Sequence, residues 1–382
     1  MMIQLVRNEI KDAFSQSKSV NPSLLLQKGM PEVDANESDS KEGKSDNKKT
    51  GHLEEIVKLP ASSEYKNGFN RWFNLTQDEN RFSQTAMTLE NRLLISLTGN
   101  AALETGCSLS RNYGMPYIPG SSVKGIARAW ANQHLVGHSD ELEQLFGTAD
   151  SEQPYRVSGL VTFHDAWWIP DPVKKEHKPF VLDVVTTHHQ AYYNGNQAEP
   201  SDKDSPIPNH LLAVKGSFLF VLEGEPTAIE FCQTLLKKAL ADNGIGAKTA
   251  AGYGYMMVDP ALMQRLLDES EKRLSPEERE QRQAEAQRRI EQQLEAAAKA
   301  EQAKPPVQII AELRADYLKH RDNAAYQLKV ENWIDTAIKS WTEAQDRALL
   351  AECLKQVGYE PSNKKNPNHL IRKTRLQQLK DK

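Results

Sequence analysis

Three features that often announce a function are missing from this sequence. Cysteine is scarce: Cys107, Cys232 and Cys353 are odd in number and far apart. That argues against a disulfide framework or a cysteine-based zinc site and suits a reducing cytoplasm. No stretch approaches the roughly 20 apolar residues of a membrane helix. The first 19 residues carry Arg7, Glu9, Lys11 and Asp12 where a secretory signal would need an apolar run. A basic excess is also missing, since 48 Lys and Arg stand against 52 Asp and Glu, a net charge of −4. The balance does not announce a nucleic-acid binder, nor does it exclude one. Phosphate binding needs a local basic surface, not a basic total.

What is present is a soluble composition, 38% hydrophobic and 26% charged over 382 residues. This suffices for one large domain with appendages or for two domains. A short N-terminal arm (1–30) contains Asn21-Pro22-Ser23-Leu24-Leu25-Leu26, whose apolar triplet suggests docking on another surface. Pro31 to Gly51 is almost entirely Asp, Glu, Lys, Ser, Asn and Gly and reads as a disordered linker, because it buries too little apolar surface to offset its ordering entropy.

From 52 to 259 strand and helix signals alternate. Arg92 to Leu97 reads as a buried strand. Ser121-Ser122 can cap a helix whose face is Val123, Ile126, Ala127, Trp130 and Ala131. Strands are expected at Gly159–Phe163 and Ala213–Leu222. Pro226 starts a second helix, with Ile229, Cys232, Leu236 and Ala239 on one face, and Asn243-Gly244 stops it. Tyr253–Val258 supplies a last strand. The order strand, helix, strand, strand, helix, strand predicts an α+β, ferredoxin-like (RRM-like) domain, an antiparallel sheet with helices on one face. Between the second and third strands lies an insertion of about forty residues, long for a plain loop; an inserted hairpin or lobe is expected there. Residues 260–304 read as a charged helical segment. Residues 305–382 read as a helical module, ending in a stretch where Lys364, Lys365, Arg372, Lys373, Arg375, Lys380 and Lys382 face only Asp381.

The segment Gly244-Ile245-Gly246-Ala247-Lys248-Thr249-Ala250-Ala251-Gly252-Tyr253-Gly254 stands out. It fails as a Walker A loop, because Ala247 replaces the glycine before Lys248-Thr249. It fails as a dinucleotide fingerprint, because Thr249 falls on the third glycine and a helix precedes the loop. Two readings remain. One is a helix C-cap running into a glycine-rich turn. The other is a loop whose glycines let backbone amides approach a polyanion, with Lys248 adding a cation. A second block runs from Glu104 through Arg111, Tyr113 and Pro119-Gly120-Ser121-Ser122 to Lys124 and Arg128. A helix N-terminus there would favour phosphate, and the Tyr113 ring could stack a base. An ordinary capped helix with solvated charges is the plainer alternative.

Together these segments resemble the RAMP superfamily of CRISPR-associated proteins, whose signature is this late glycine-rich loop on a ferredoxin-like fold. LETGCSLSRNYGMPYIPGSSVKGIAR, FGT, LDVVTTHHQAYYNG, DSPIPNHLLAV and GIGAKTAAGYG occur in order. They extend the likeness to the sixth-subunit family of type III-B (Cmr) effector complexes. The resemblance runs from about Arg92 to Val258, with a weaker echo in Asn21–Leu26. It does not cover 260–382.

The resemblance implies a non-catalytic, cytoplasmic RNA-binding subunit in antiviral defence, without cofactor or metal. Its expected partners are guide RNA near the 3′ region, target RNA, the repeated backbone subunit and a neighbouring RAMP subunit. The expected RNA contacts are Arg111, Tyr113, Ser121, Ser122, Lys124, Arg128, Gly244, Gly246, Lys248, Thr249, Gly252, Tyr253 and Gly254. A hairpin around 182–212 would act as a thumb between guide and target. The alternative is a RAMP-fold endoribonuclease with His188 or His189 as acid or base. Neighbouring histidines in a strand point to opposite faces, which suits a shared metal poorly.

Overall fold

The longest apolar run among the expected strands becomes the centre of a sheet. In a computed structural model of the chain, strand Ser217–Gly224 has its first six residues buried. Phe218, Phe220 and Leu222 point into one core, and Leu219 and Val221 into another. The two-residue period of a strand thus sends alternate side chains to opposite faces, and both faces are covered. The structure describes residues 2–4, 6–7, 20–30, 32–34, 44–97, 105–148, 157–172, 177–187, 189–204, 207–302, 304–320, 322–360 and 367–381. The chain divides into two compact units, Met1–Arg273 and Leu274–Lys382.

In the first unit the strands are β1 (Met2–Gln4), β2 (Glu32–Asp34), β3 (Phe82–Leu89), β4 (Tyr117–Ile118), β5 (Val161–Phe163), β6 (Ala166–Trp168), β7 (Phe180–Thr187), β8 (Ile207–Val214), β9 (Ser217–Gly224) and β10 (Met256–Val258). The main sheet runs β10-β3-β9-β6-β4, with β5 also on β9, and every pairing is antiparallel. Helices Gly120–His134 and Pro226–Asp242 cover one face through Val123, Ala127, Ile229, Cys232 and Leu236. The indole N–H of Trp130 donates to Asp242 (2.8 Å) and ties these helices together.

The expectation of helices on one face is corrected here. Helix Ser63–Leu75 and helix Pro260–Arg273 cover the other face with Phe69, Phe73, Leu262 and Leu266. The β9 run without polar alternation is the physical reason: Leu219 and Val221 would otherwise face water.

The first strand is also corrected. β3 takes the place expected for Arg92–Leu97, which forms only the isolated bridge Leu93–Val214. Leu93 and Leu94 are buried as expected, but their backbone groups bond elsewhere. Leu93 exchanges both bonds with Val214, while the carbonyls of Arg92 and Leu94 accept from Gly254 and Ala247. Three expected strands are shorter or divided, Gly159–Phe163 beginning only at Val161. Ala213–Leu222 splits at Gly216 (φ 103°), where a Cβ would lie 2.8 Å from the Trp168 ring nitrogen. The last strand begins only at Met256.

The insertion contains the antiparallel hairpin β7–β8, registered from Phe180–Val214 to Thr187–Ile207, with a short helix Gln190–Tyr193 beyond β7. The N-terminal arm docks on its own domain. The Asn21 side chain accepts from Ser23 and Leu24 N–H, capping helix Pro22–Lys28. Its amide donates to the carbonyls of Arg111 and Asn112. Leu25 and Leu26 are buried, and Leu24 is exposed.

The polar run expected as a linker differs in part. Residues 35–43 lie outside the described residues, but a helix runs Lys44–Val57. Its Leu53 and Ile56 are fully buried, and that anchor extends the helix back into the polar segment.

In the second unit, helices Pro306–His320, Ala324–Ser340, Ala344–Gln356 and Pro367–Asp381 enclose a separate core including Leu313, Ile334, Leu350, Leu354 and Tyr359. The long charged helix Pro276–Gln302 precedes them. The C-terminal basic stretch is partly structural. Arg372 donates to the Tyr359 carbonyl and to Gln327, Arg375 pairs with Asp335, and Leu376 and Leu379 are buried. Lys364, Lys365 and Lys382 lie outside the described residues.

Candidate nucleic-acid interface

The glycine segment is a hooked loop fixed by backbone packing. Gly244, Gly246, Gly252 and Gly254 all have positive φ, a region that costs other residues dearly. Two of them are also spatially required, and a third is tightly packed. A Cβ on Gly254 would lie 1.9 Å from the Ile245 carbonyl oxygen, and one on Gly246 would lie 2.4 Å from that of Leu94. One on Gly244 would come within 3.1 Å of the Tyr253 oxygen. Gly252 is different, with nothing within 4 Å of its Cβ position.

The amides of Ile245, Ala247 and Gly254 are spent on the carbonyls of Gly254, Leu94 and Arg92. The exposed crest is therefore Lys248 to Gly252, with a 3-10 turn over Thr249–Ala251. Lys248 itself is left-handed (φ 59°), an uncommon conformation for a residue with a side chain.

One carboxylate joins this loop to the inserted hairpin. Asp183 of β7 is buried, 2.7 Å from the Arg92 guanidinium and 3.0 Å from the Tyr253 hydroxyl, which donates to it. It also accepts from the Val184 N–H. Burial works to raise the Asp183 pKa, but the hydrogen bonds from Arg92, Val184 and Tyr253 outweigh it and hold the carboxyl below its usual range. The same burial, with the bond to Asp183, pushes the Tyr253 hydroxyl up. Tyr253, expected to face RNA, thus commits its hydroxyl to the hairpin. Sequence reasoning missed Arg92 and Asp183 as partners: a lone Arg and a lone Asp ninety residues apart carry no spacing signal.

The second block is rearranged at the helix start. The helix begins at Gly120, and Pro119 holds the cap position without a side-chain bond. Ser121 and Ser122 therefore sit inside the first turn, two and three residues past the cap position. The Gly120 N–H donates instead to the Asp165 carboxylate (2.7 Å). A carboxylate already meets the positive end of this helix, where the sequence suggested phosphate.

Tyr113 is half-buried. Its ring lies edge-on to Tyr65 (centroids 5.7 Å) and against Trp167 (6.0 Å), and its hydroxyl would meet a Cβ at Gly68. Arg128 donates to the Gly147 carbonyl (2.9 Å) and braces the domain. Lys124 is half-buried on the same helix. Arg111 is exposed and lines a cleft of about 430 Å³ with Tyr117, Asp165 and Trp167.

At the tip of the hairpin, His189 lies 2.8 Å from Asp204, whose carboxylate also accepts from the Ser201 N–H. The His189 hydrogen bond and the Ser201 N–H hold the Asp204 carboxyl low. This pair closes the loop across the hairpin end, with His189 in a left-handed conformation. His188 lies outside the described residues. Tyr193 is 74% exposed at the same tip. His164 pairs with Glu223 and sits edge-on to Trp72, so it belongs to the sheet. Among the described residues no group of three His, Cys, Asp or Glu is placed to hold a metal ion, and no helix is long and apolar enough to cross a membrane.

Residues 87–257 match the family described as the RAMP superfamily. The chain is 28% identical to the CRISPR system Cmr subunit Cmr6 of Pyrococcus furiosus, over 54% of this chain and 76% of that protein. It is 31% identical to the Cmr6 subunit of Saccharolobus solfataricus, over 44% of this chain and about half (54%) of the relative. Among solved structures it is similar to a chain of the type III-B Cmr-beta complex bound to cognate target RNA. That match has a TM-score of 0.45 and 22% identity, over 66% of this chain and 87% of the other. A second match is the crystal structure of Cmr6 from Pyrococcus furiosus, with a TM-score of 0.29 and 25% identity, over 47% of this chain and 98% of that one. The glycine loop, the inserted hairpin and the sheet that carries them all fall on or beside the segment that matches the RAMP superfamily, and the chain is similar to two Cmr6 subunits.

Proposed function

We propose that this chain is a non-catalytic RNA-binding subunit of a type III-B CRISPR effector complex, holding guide RNA toward its 3′ region and helping present target RNA. The likeness to two Cmr6 subunits supports membership of such a complex. In this reading its partners are guide RNA, target RNA, the repeated backbone subunit and a neighbouring RAMP subunit, and it works in the cytoplasm. The strand order β10-β3-β9-β6 with its two crossover helices is read as the ferredoxin-like arrangement.

One observation carries the RNA-binding role. Asp183 locks the glycine loop to the base of the hairpin. An exposed Lys248–Gly252 crest and a hairpin ending in an exposed Tyr193 are then joined through one carboxylate. Such a pairing can hold a sugar–phosphate chain at one element and insert between strands with the other. Co-expression of the tagged chain with the other subunits and guide RNA tests this. Recovery of guide RNA that drops when Lys248 and Arg111 are changed to Glu is expected. Unchanged recovery contradicts the role.

The endoribonuclease alternative has one supporting observation, the His189–Asp204 pair, since a carboxylate can orient an imidazole for proton transfer. Cleavage of repeat or target RNA by purified protein, abolished by His189→Ala, would favour it over the binding role.

A further inference from the structure

Two opposite charges line one cleft without neutralising each other. Arg111, Asp165, Tyr117 and Trp167 share the cleft of about 430 Å³ beside helix Pro22–Lys28. Arg111 and Asp165 form no ion pair, and among the described residues the Arg111 guanidinium has no hydrogen-bond partner. Asp165 spends one oxygen on the Gly120 N–H, and its second oxygen has no partner among the described residues. In a protein that leaves opposite charges apart within one small space, the missing bonds are supplied by water or by a ligand of matching polarity.

We propose that this cleft is a pocket for one single-stranded nucleotide whose base bears an exocyclic amino group. Its size is within the range of small-ligand sites. Trp167 and Tyr117 supply aromatic surface for a base, as single-stranded RNA recognition requires. Arg111 takes the phosphate and the free Asp165 oxygen accepts from the amino group, as acidic side chains do with base amines. The docked arm makes the cleft. The Asn21 side chain holds the carbonyls of Arg111 and Asn112, and Ser23 and Gln27 form one wall. The pocket gives the subunit a base preference that backbone contacts alone cannot supply, and it rests on the RNA-binding role proposed above.

The test uses the full chain and fluorescein-labelled RNA octamers at fixed low salt, read by anisotropy. One octamer is all uridine, which lacks an exocyclic amine, and three carry a single internal adenosine, cytidine or guanosine. At least one of the three is expected to bind about 10-fold tighter than the uridine octamer. Asp165→Asn keeps an acceptor for the Gly120 N–H but replaces the free oxygen with a donor, and should reduce the preference to within about twofold. Arg111→Ala, at an exposed position, should weaken all four octamers by similar factors and leave the preference in place. Equal binding of the four by the wild-type chain, or a preference that survives Asp165→Asn, overturns the pocket alone. If no octamer binds, the RNA-binding role and the pocket fall together.

Discussion

Replacing Asp183 by Ala should release the inserted hairpin from the glycine loop while leaving the main sheet folded. The carboxylate makes three bonds: to the Arg92 guanidinium at 2.7 Å, the Tyr253 hydroxyl at 3.0 Å and the Val184 N–H at 2.9 Å. A hydrogen bond to a charged group contributes about 1.5–3 kcal/mol. Arg92 is 41% exposed, however, so its pairing is screened and belongs well below the range for a fully buried pair. Two to three kcal/mol in total is therefore a reasonable scale, roughly a 30- to 150-fold change in an opening equilibrium.

Native-state hydrogen exchange reads this directly. Amides of Val181–Val185 and Leu211–Ala213 should exchange faster by about that factor in Asp183→Ala, while β3 and β9 amides stay unchanged. Tyr253→Phe removes only one of the bonds and should give a smaller acceleration, about 10-fold. The wild-type hairpin should loosen the same way in acid. Because the folded pKa of Asp183 is depressed, its contribution is complete above the unfolded value near pH 4 and is lost as pH falls through the folded value. Hairpin exchange in Asp183→Ala indistinguishable from wild type would refute the lock.

Gly254→Ala should prevent normal folding of the glycine loop and lower thermal stability by several degrees, because the new Cβ meets the Ile245 carbonyl. Gly252→Ala, with open space around it, should cost only the strain of a positive φ, about 1 kcal/mol, and a thermal melt of each variant separates the two. Lys248→Ala should leave the melt unchanged and reduce the slope of log affinity for RNA against log salt by about one, measured by anisotropy titrations. The Cys232 thiol, fully buried and pushed up to about 12 by that burial, should alkylate at pH 8 at least about 100-fold more slowly than in denaturant, followed by mass spectrometry. Removing residues 362–382 should destabilise the second unit as well as alter its charge, since Leu376 and Leu379 fill its core. Calorimetry of the truncated chain should show the second unit melting earlier.

How much of this was legible in the sequence depended on the range of the signals. The two helices on the first face were visible because their apolar faces are local, as are Pro226 and Asn243-Gly244, which start and stop the second of them. The hairpin in the insertion was expected from its length and from the family resemblance. Arg92–Leu97 misled because burial looks the same in a strand and in a segment bonded to a loop. Only the fold shows that its Leu94 and Arg92 carbonyls accept from the Ala247 and Gly254 amides. Phe82–Leu89 was overlooked because its Ser, Gln and Thr dilute the apolar signal, yet it pairs with β9 over seven residues.

At the interface, the glycine-rich turn could be read from the spacing of its glycines. Their division into packing glycines and the open Gly252 could not, because it rests on carbonyls of a distant segment. Ser121-Ser122 looked like a cap since serine is a good one. Asp165 takes that part from forty-five residues away, a pairing no local pattern encodes.

In the proposed role this chain binds RNA and leaves it intact. Incubating the purified full chain with end-labelled repeat-containing single-stranded RNA tests it most directly, with each sample run on a native gel and on a denaturing gel. A shifted band on the native gel, released by added salt, is expected, with full-length RNA on the denaturing gel at every time point. Absence of a shift, or RNA fragments that disappear with His189→Ala, would contradict it.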